Sequence, residues 1–508
     1  MTPPDTTSRW TDSSRFPRAS KLKKDVEVDV IVVGGGITGL TAAYLLKNAG
    51  KTVAVLERGR LGGVDTSRTT AHLTAVTDNR LYETAATFGE TAARAVWDAG
   101  AAAIDQIVTL IRTKEIDCDF GWVPGYLHAA QGMSDDAEAR AELEREAETA
   151  RRLGIDAEFL ESVPLFGAPG IKFPHQALFH PLKYLAELAR LIPGNGSHVF
   201  SSSEVEEVRD EPLEVKAGGV TVKGRYLVLA THTPLTGNTG LMRAMVFQTK
   251  LALYTSYALG AKIPSGAAPA GLFWDTADPY HYLRIEPRRG YDYAIFGGED
   301  HKTGQEADTA ACYRRLEERF LGLFPAAVID HRWSGQVIET NDGLPFIGET
   351  AERQFVATGF GGNGMTFGTL GAMMAVDACL KRKNPWQEIF DPHRAKIRGG
   401  TWEYLKENKD YPYYMLRDWT AAAEGNSLAA LGRNEGKILE LNGRKVAAYR
   451  DAGGKFSLCS PVCTHLKCIV GWNDAERTWD CPCHGSRFKP TGEVISGPAE
   501  EALEKLPP

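Results

Sequence analysis

Residues 29–40 read DVIVVGGGITGL, and this stretch decides the fold of the larger part of the chain. A β-branched run leads into the G-x-G-x-x-G spacing of Gly34, Gly36 and Gly39, and a helix-like segment follows from Leu40 to Asn48. The first glycine makes a tight turn, the second lets the backbone approach a pyrophosphate, and the third allows the helix to pack closely on the strand. The stretch therefore predicts a dinucleotide-binding βαβ unit.

The residues after this helix complete the unit. Gly50 is placed to end the helix, and a second strand over 52–56 leads to Glu57. An acid about twenty residues after the glycines can accept a hydrogen bond from a ribose hydroxyl. Glycine-rich loops are common, but the order strand, glycine loop, helix, strand and acid is specific for dinucleotide binding.

A second glycine-dense loop lies far downstream. Residues 355–366 read FVATGFGGNGMT, which predicts a strand, a loop and a helix running to Cys379. The stretches WSG at 333–335 and TNDGLPFIG at 340–348 precede it. Such a loop presents backbone N–H groups and a helix N-terminus to an anionic or electron-rich group.

Together these stretches resemble the D-amino-acid oxidase and glycine oxidase superfamily of flavoproteins, over residues from about Asp29 to Leu380. The resemblance implies an α/β (α+β) FAD-binding Rossmann-like fold with a mixed-sheet substrate domain. It also implies that a hydride passes from a substrate carbon to FAD, and that the segment Thr66–Thr74 runs past the flavin. The residues expected to bind FAD are Gly34, Gly36, Thr38, Gly39, Glu57, Arg58, Thr70, Ala71, His72, Gly361, Gly364, Met365 and Thr366.

Near the C-terminus, Cys463 and His465 form a C-x-H step, and Cys481 and His484 form a C-x-x-H step. This is the spacing of a Rieske [2Fe–2S] centre, in which two thiolates and two imidazoles bind the cluster. A zinc site is the alternative, because Cys2His2 also suits zinc. Zinc fingers pair Cys with Cys and His with His, whereas each pair here is mixed, so the spacing favours the cluster.

The two boxes, CTHLKC at 463–468 and CPCHGS at 481–486, resemble those of the Rieske proteins of cytochrome bc complexes. The resemblance implies an all-β C-terminal domain and a cluster whose buried iron binds Cys463 and Cys481. His465 and His484 would bind the outer iron. The remaining box cysteines, Cys468 and Cys483, are expected to form a disulfide over the cluster.

Three further positions bear on the cluster. Ser486 matches the family serine that donates a hydrogen bond to a cluster sulfur, whereas Phe488 stands where that family has a donating tyrosine. Hydrogen bonds to the sulfurs raise the reduction potential, so we expect a potential below the respiratory type. Lys467 replaces a common glycine, which affects the loop geometry but no ligand.

The length of 508 residues predicts several domains. We expect an N-terminal arm, disordered or wrapping, over 1–26, an FAD-dependent oxidoreductase over 27–383, a connector over 384–420 and a Rieske domain over 421–508. The FAD-binding fold is expected to be discontinuous, with FAD-binding pieces at 27–80, 181–245 and 335–383 and substrate-domain pieces at 81–180 and 246–334.

Candidate substrate residues are less specific. Tyr126, Tyr282 and Arg284 lie in strand-like stretches with several aromatics, and the flavoprotein resemblance implies that an arginine or tyrosine there binds a substrate carboxylate. An arginine suits bidentate carboxylate binding. The alternatives are an arginine that pairs with Glu286 or Asp278, and two core tyrosines.

Three histidines allow other chemistry. His72 lies in the segment where some relatives attach FAD covalently, but the match is out of step by about a residue, so an uncoupled histidine near the flavin is favoured. His175 and His180 have the H-x4-H spacing of mononuclear iron in Rieske oxygenases. Such a site also needs a carboxylate, and Lys172 stands where one is expected, so two ordinary histidines are favoured.

A net charge of −7 without a basic block argues against nucleic-acid binding. No apolar run approaches the roughly eighteen residues of a membrane span, and the polar N-terminus lacks the apolar region of a secretory signal. We therefore expect a cytoplasmic protein. A disulfide is unusual in that compartment, and the tight loops would protect it.

These observations predict an FAD-dependent dehydrogenase that oxidises a small amine or amino-acid-like donor. The Rieske cluster would pass the electrons singly to an external acceptor, a protein or a quinone-like molecule. An oxidase that uses oxygen, a reductase fed by NAD(P)H, and a flavin scaffold with a structural or redox-sensing Rieske module are the alternatives. The single G-x-G-x-x-G disfavours the reductase, since no second dinucleotide domain is visible.

Overall fold

The computed structural model describes residues 6–133, 136–234, 250–394 and 410–507. Several predicted pieces therefore extend beyond the described residues, namely 1–26, 81–180, 181–245, 246–334, 384–420 and 421–508. Within the described residues the chain forms five β-sheets, three before residue 384 and two in the C-terminal part.

A six-stranded sheet contains the strands of the predicted βαβ unit. Its order is Phe346–Ala351, Gln354–Thr358, Tyr226–Leu229, Val30–Val33, Val53–Leu56 and His198–Phe200. All neighbours are parallel except the first pair, which is antiparallel. Every residue of Val30–Val33 and Val53–Leu56 is buried, as expected for parallel strands that are covered on both faces.

The helix that follows the first strand spans Ile37–Asn48, so it begins three residues before the predicted start. Two glycines allow this close arrangement. A Cβ at Gly34 (φ +107°) would lie 2.2 Å from the carbonyl oxygen of Ala230, and one at Gly39 would lie 1.9 Å from that of Gly34. Gly50 ends the helix with φ +82°, which an L-residue rarely adopts.

A nine-stranded mixed sheet forms the second layer. Its order is Val328–Thr340, Leu251–Ile263, Tyr291–Lys302, Tyr282–Arg288, Gly271–Asp275, Gly121–His128, Gly170–Leu178 and His72–Leu73, with Glu158–Leu160 beside Gly170–Leu178. Strand Val328–Thr340 runs across the boundary predicted between 334 and 335. Strand His72–Leu73, predicted to belong to an FAD-binding piece, also pairs in this sheet.

A smaller sheet joins Val26–Glu27, Val220–Lys223, Glu214–Ala217 and Glu207–Arg209. The other helices of the described residues span Arg9–Asp12, Leu81–Phe88, Glu90–Thr113, Ala137–Arg152, Pro181–Leu191, Thr309–Leu323, Gly364–Cys379, Gln387–Phe390 and Asp410–Thr420, with 3-10 turns at Asp65–Arg68 and Leu428–Ala430. Helix Gly364–Cys379 packs against Ile37–Asn48, so both helices begin on the same side of the six-stranded sheet.

The C-terminal part is built from two antiparallel sheets. One joins Glu435–Leu441, Arg444–Arg450 and Phe456–Cys459, and the other joins Gly471–Asn473, Thr478–Asp480, Arg487–Phe488 and Val494–Ser496. Their shared core contains Cys463, Cys481, Trp479 and Phe488, all buried. The predicted fold class, an α/β flavoprotein fold with a mixed second sheet and an all-β C-terminal domain, is confirmed.

The N-terminal residues pack on the first two sheets. Trp10 is fully buried, and its indole N–H donates to the carbonyl oxygen of Thr69 at 2.6 Å. Arg9 forms an ion pair with Glu286. The described part of the arm thus supports the segment that follows Arg68.

Candidate functional site

A cavity of about 720 Å³ opens between the six-stranded and nine-stranded sheets. The predicted FAD-binding residues that line it are Gly34, Gly36, Thr38, Glu57, Arg58, Thr70, His72, Gly361, Gly364 and Met365. Gly39, Ala71 and Thr366 are buried and are not among the lining residues. The cavity therefore brings together both glycine loops, although more than 300 residues separate them in the chain.

The cavity fits a dinucleotide at its first glycine loop. Helix Ile37–Asn48 begins at Gly36, which provides no side-chain cap. The N–H of Ile37 donates to the hydroxyl of Thr66 at 3.2 Å, and the later N–H groups of the first turn can face an anion. The carboxylate of Glu57 accepts hydrogen bonds from the N–H of Gly35 at 2.8 Å and of Gly59 at 2.7 Å. These bonds fix an acid beside the glycine loop.

The second glycine loop adjoins the segment predicted to run past the flavin. The side-chain amide of Asn363 donates to the carbonyl oxygen of Val76 at 2.6 Å, and the hydroxyl of Thr366 donates to that of Thr74 at 2.9 Å. Asn363 precedes helix Gly364–Cys379 and leaves its N-terminus without a side-chain cap. A second uncapped helix N-terminus therefore begins at the cavity.

His72 adds a polar atom to this wall. Its Nδ1 lies 3.1 Å from the hydroxyl of Thr70, while its Nε2 is buried without a hydrogen-bond partner among the described residues. Burial, with the nearby Arg284 cation, lowers the pKa of His72 to about 3. The imidazole is therefore neutral.

The structure separates the predicted substrate residues. Tyr282 lines the cavity, and its hydroxyl hydrogen-bonds that of Ser256 at 2.7 Å. Arg284 does not line it: the side chain is fully buried, donates to the carbonyl oxygen of Ala71 at 2.8 Å and pairs with Glu286 at 2.6 Å. Arg284 is therefore paired with Glu286, as in the pairing alternative, and is not among the residues that line the cavity.

Tyr126 also lies outside the cavity. It is buried and stacks on Phe273 with ring centroids 5.0 Å apart, as a core tyrosine would. Neither Arg284 nor Tyr126 lines the cavity, and their role in substrate binding stays a prediction.

Sequence reasoning missed the acids of the cavity. Asp78 and Asp300 line it beside Tyr280 and Trp274, and the hydroxyl of Tyr280 donates to Asp78 at 3.2 Å. A Cβ at Gly362 would lie 2.9 Å from Asp78 Oδ2, so this acid lies against the second glycine loop. No signal in the sequence singled out Asp300, because strand Tyr291–Lys302 carries three acids, Asp292, Glu299 and Asp300.

Both acids have raised pKa values. Burial, with a contribution from the charge of Asp78, raises the pKa of Asp300 to about 7. Asp78 is exposed at the cavity surface, and the surrounding protein raises its pKa to about 6, partly offset by Tyr280 and the Arg80 cation. Acids that titrate near neutral pH in a cleft are typical of sites that bind or move protons.

The two Rieske boxes form adjacent loops. The thiols of Cys463 and Cys481 are buried, with 1% and 2% of each residue exposed. The rings of His465 and His484 lie 5.0 Å apart between centroids, at 89° to each other, and are half-buried. Two inner thiols and two outer imidazoles fit a cluster with one buried and one outer iron.

The remaining box cysteines form a disulfide. Cys468 and Cys483 are joined, with Cα atoms 6.5 Å apart, and the Cys481 sulfur lies within 4.8 Å of both disulfide sulfurs. Ser486 lies within hydrogen-bonding reach of the Cys463 sulfur. Lys467 has φ +62°, which explains why glycine is common at that position.

His175 and His180 do not share a site. His175 is exposed and faces Asp156 at 3.3 Å. His180 is buried, and its Nδ1 accepts from the N–H of Lys183 at the start of helix Pro181–Leu191. The two histidines are thus a surface residue and a helix cap.

The Rieske boxes contact the first part of the chain directly. A Cβ at Gly304 would lie 2.7 Å from the carbonyl carbon of Cys481. The side-chain amide of Gln336, which lines the cavity, donates to the carbonyl oxygen of Gly485 at 2.7 Å. Glu476 accepts from Arg68 at 3.0 Å. The second box therefore packs directly behind Gln336, a residue of the cavity wall.

Comparison with known proteins agrees with this architecture. Residues 29–378 match the family model described as FAD dependent oxidoreductase, and residues 418–507 match the model of the Rieske [2Fe-2S] domain. The chain belongs to the FAD-dependent oxidoreductase family. As a member with a Rieske domain, this FAD-dependent oxidoreductase binds FAD and a [2Fe–2S] cluster.

The chain is 33% identical over 504 residues to the Rieske 2Fe-2S iron-sulfur protein YhfW of Bacillus subtilis, covering 98% of this chain and 97% of that protein. It is 25% identical over 429 residues to gamma-glutamylputrescine oxidoreductase of Escherichia coli, covering 80% and 96%. Glycine oxidase from Geobacillus kaustophilus shares its fold, with a TM-score of 0.60 at 19% identity over 73% of this chain and all of that one. None of the described helices is both long and apolar enough to span a membrane.

Proposed function

We propose that this oxidoreductase is a dehydrogenase that oxidises a small amine or amino-acid-like donor at FAD and passes the electrons through its Rieske cluster to an external acceptor. The observation that carries the proposal is the position of Gln336. This side chain lines the cavity and donates to the carbonyl oxygen of Gly485, which follows the predicted ligand His484. One side chain thus connects the two cofactor sites.

When bound, FAD supplies a two-electron acceptor for a hydride, and the cluster supplies a one-electron carrier. The chain's own part is to position these sites. Gln305 donates to the carbonyl oxygen of Pro482 at 2.9 Å, and Gln336 also donates to the hydroxyl of Thr303 at 3.2 Å. These bonds fix the second box on the sheet beside the cavity.

The donor end of the proposal depends on Asp78, Asp300 and their aromatic neighbours. An ammonium group is attracted to carboxylates and to the faces of aromatic rings, and Tyr280, Tyr282 and Trp274 line the same cavity. Asp300 has an unpartnered Oδ1 among the described residues and a pKa of about 7. It can therefore take the proton that an ammonium must lose before its carbon gives up a hydride.

Arg80 gives a carboxylate-bearing donor a cation in the cavity. Arg68 also lines it, but its guanidinium is engaged by Glu476 and the carbonyl oxygen of Ser334. The names of the E. coli relative and of the glycine oxidase refer to an amine and an amino acid. Both classes are therefore included in the proposed donors.

An anaerobic donor screen tests the proposal. Primary amines, diamines, amino acids and NAD(P)H are mixed with the full-length protein, while flavin absorbance and the EPR signal of the reduced cluster are followed together. We expect an amine or amino acid to bleach the flavin and produce the cluster signal. Bleaching by NAD(P)H alone would contradict the proposal in favour of a reductase, and rapid oxygen consumption with a silent cluster would favour an oxidase.

A further inference from the structure

We propose that the Rieske domain completes the FAD-binding cavity, so that FAD and the cluster each strengthen the binding of the other. The proposal concerns cofactor binding and does not depend on the donor or the acceptor. Its starting point is the segment 496–501 of the Rieske domain, which lines the cavity opposite residues of the flavin-binding sheet.

One hydrogen bond joins this segment to the flavin-binding part, and a second joins Ile495, the residue directly before the segment. The hydroxyl of Thr233 donates to the carbonyl oxygen of Gly497 at 3.0 Å. The guanidinium of Arg58, beside the acid at the first glycine loop, donates to the carbonyl oxygen of Ile495. The segment therefore forms a wall of the cavity between Arg58 and Thr233.

The same segment supports the second cluster box from behind. The hydroxyl of Ser486 accepts from the N–H of Ala499 at 3.0 Å. Gly497 (φ +93°) passes so close that a Cβ there would lie 2.6 Å from Ser486 Cα and 2.7 Å from the carbonyl oxygen of Gly485. Because the backbones are in contact, the cavity wall cannot shift without disturbing the box.

Gln336 supplies a second connection. Its amide nitrogen donates to Gly485 and Thr303, while its Oε1 is buried and has no hydrogen-bond partner among the described residues. Only 5% of this residue is exposed, and it lines the cavity. An O–H or N–H group of bound FAD can satisfy this acceptor, and the bond would further order the side chain that contacts the box.

When two ligands contact one wall, the first ligand to bind orders that wall. The second ligand then binds with a smaller loss of conformational entropy. The factor by which the cluster strengthens FAD binding must equal the factor by which FAD strengthens cluster binding. For the contacts described, we expect about tenfold, within the usual range of such coupling.

Hydrogen exchange on the unmodified full-length protein tests the contact. Exchange is compared between the holoprotein and the same protein stripped of FAD, with the cluster verified by its EPR signal in both. We expect FAD removal to increase exchange within 496–501 and in box 481–486, with no change in the distant hairpin 435–450. Unchanged exchange within 496–501 would overturn the proposal.

A matched pair of variants tests the coupling. Gly304→Ala places a Cβ 2.7 Å from the carbonyl carbon of Cys481 at φ +82°, yet Gly304 does not line the cavity. Gly290→Ala has a similar backbone cost at φ +86°, and no described atom lies within 4 Å of its Cβ. The FAD dissociation constant is measured for both variants after the cluster content has been verified.

We expect Gly304→Ala to weaken FAD binding about tenfold and Gly290→Ala to leave it at the parent value. Equal dissociation constants for parent and Gly304→Ala would overturn the proposal. If Gly304→Ala loses its cluster, FAD binding is measured instead on the parent protein prepared without iron. The same tenfold weakening of FAD binding is expected there. Donor oxidation is not measured, so failure here is distinct from failure of the proposed dehydrogenase function.

Discussion

Asp300 lies in strand Tyr291–Lys302 with its Oδ1 buried and unpartnered among the described residues. Burial penalises the charged form of a carboxyl group, so the pKa of an acid in this position is raised. The free-energy cost of burying such an acid is typical of residues that are retained for function and not for stability. Its neighbours Ser256 and Tyr282 form a hydroxyl pair beside it.

The pH dependence of donor oxidation follows from these acids. Asp78 and Asp300 have pKa values raised to about 6 and about 7, so both become carboxylates as the pH rises through that range. We expect kcat/KM for an amine donor to rise with pH through about 6 to 7. Asp300→Asn should remove the upper step and lower kcat by roughly 10²- to 10⁴-fold, the usual effect of losing a general base. A parent-like profile in this variant would exclude Asp300 as the proton acceptor.

Asp300→Asn should lower the activity, but we expect it to raise the stability of the protein at pH 8. Unfolded Asp300 ionises near its ordinary pKa of 3.8 and the folded residue near 7, so the folded state binds the additional proton between those values. Stability therefore falls as the pH rises from about 4 to about 7. Asp300→Asn lacks this loss, and we expect it to have the higher Tm at pH 8 and no such advantage at pH 4. A Tm below the parent at pH 8 would contradict this.

Lys467 illustrates a local departure from the usual Rieske sequence. It has φ +62°, a conformation that costs an L-residue roughly 1–2 kcal/mol and glycine almost nothing. Lys467→Gly should therefore raise the temperature at which the cluster is lost, while Lys467→Ala, which removes the charge but keeps the strain, should not. Visible circular dichroism of the cluster during heating measures both.

The cluster potential should respond to two positions in the second box. Ser486 lies within hydrogen-bonding reach of the Cys463 sulfur, and Phe488 is fully buried in the same core. Since hydrogen bonds to sulfur raise a Rieske potential, Ser486→Ala should lower it and Phe488→Tyr should raise it. Protein-film voltammetry measures the reduction potentials. If both variants have the potential of the parent, neither residue 486 nor residue 488 donates a hydrogen bond to a cluster sulfur.

At the scale of elements, the βαβ unit was predictable because its signals are local. The β-branched run, the glycine spacing and Gly50 each act within a few residues, and helix Ile37–Asn48 departs from the prediction only at its start. The fold class followed in the same way. The box spacing at 463–486 likewise predicted two adjacent loops, since each box is one short turn.

The part of the cavity that is proposed to bind the donor could not be predicted from local signals. Asp78 and Tyr280 come from two separate loops and Asp300 from strand Tyr291–Lys302, and the nine-stranded sheet brings them together. Which side chains of a strand face the cavity depends on its register, and a shift of one residue reverses the answer. Alternation alone is not enough either, because Arg284 lies two residues from Tyr282 and therefore on the same face of the strand, yet only Tyr282 lines the cavity.

The contact between the Rieske sheets and the first part of the chain depends on Glu476. Its side chain is 1% exposed, and it accepts from Arg68 at 3.0 Å and from the hydroxyl of Tyr313 at 2.9 Å. A buried carboxylate that loses its charge leaves its cation without compensation. Its removal should therefore weaken the docking of the domain.

We expect Glu476→Gln to increase hydrogen exchange at 473–477 and 309–313 and to slow cluster reduction by a donor, with the cluster itself retained. Glu493→Gln is the matched control, because Glu493 pairs with Lys505 at the exposed surface, 3.2 Å away, and such pairs contribute little. Equal behaviour of the two variants would show that Glu476 does not fix the domain.

At the scale of the whole molecule, the two proposed cofactor sites lie on opposite sides of one wall of the cavity. Residues 335–336 and 496–501 line the FAD cavity, and the second box packs directly behind them. The wall is built from both domains, so neither domain presents this arrangement by itself. Such proximity favours electron transfer within one chain over exchange between separate proteins.

Substitution of a predicted cluster ligand separates reduction of the flavin from electron transfer to the acceptor. His484→Ala should prevent the cluster from assembling, while donor-dependent flavin bleaching persists and reduction of a one-electron acceptor such as cytochrome c stops. Lys505→Ala is the control, because Lys505 is an exposed residue of the same domain, and this variant should match the parent. Acceptor reduction at the parent rate without a cluster would place the cluster outside the path.

The most direct test follows both cofactors in the unmodified protein. The holoprotein is mixed anaerobically with an active donor and no acceptor, and flavin absorbance and the EPR signal of the reduced cluster are recorded on the same time base by rapid freezing. The account predicts that the cluster signal grows as the flavin is bleached and reaches one reduced cluster per chain. Complete flavin bleaching with a cluster that stays oxidised would contradict it.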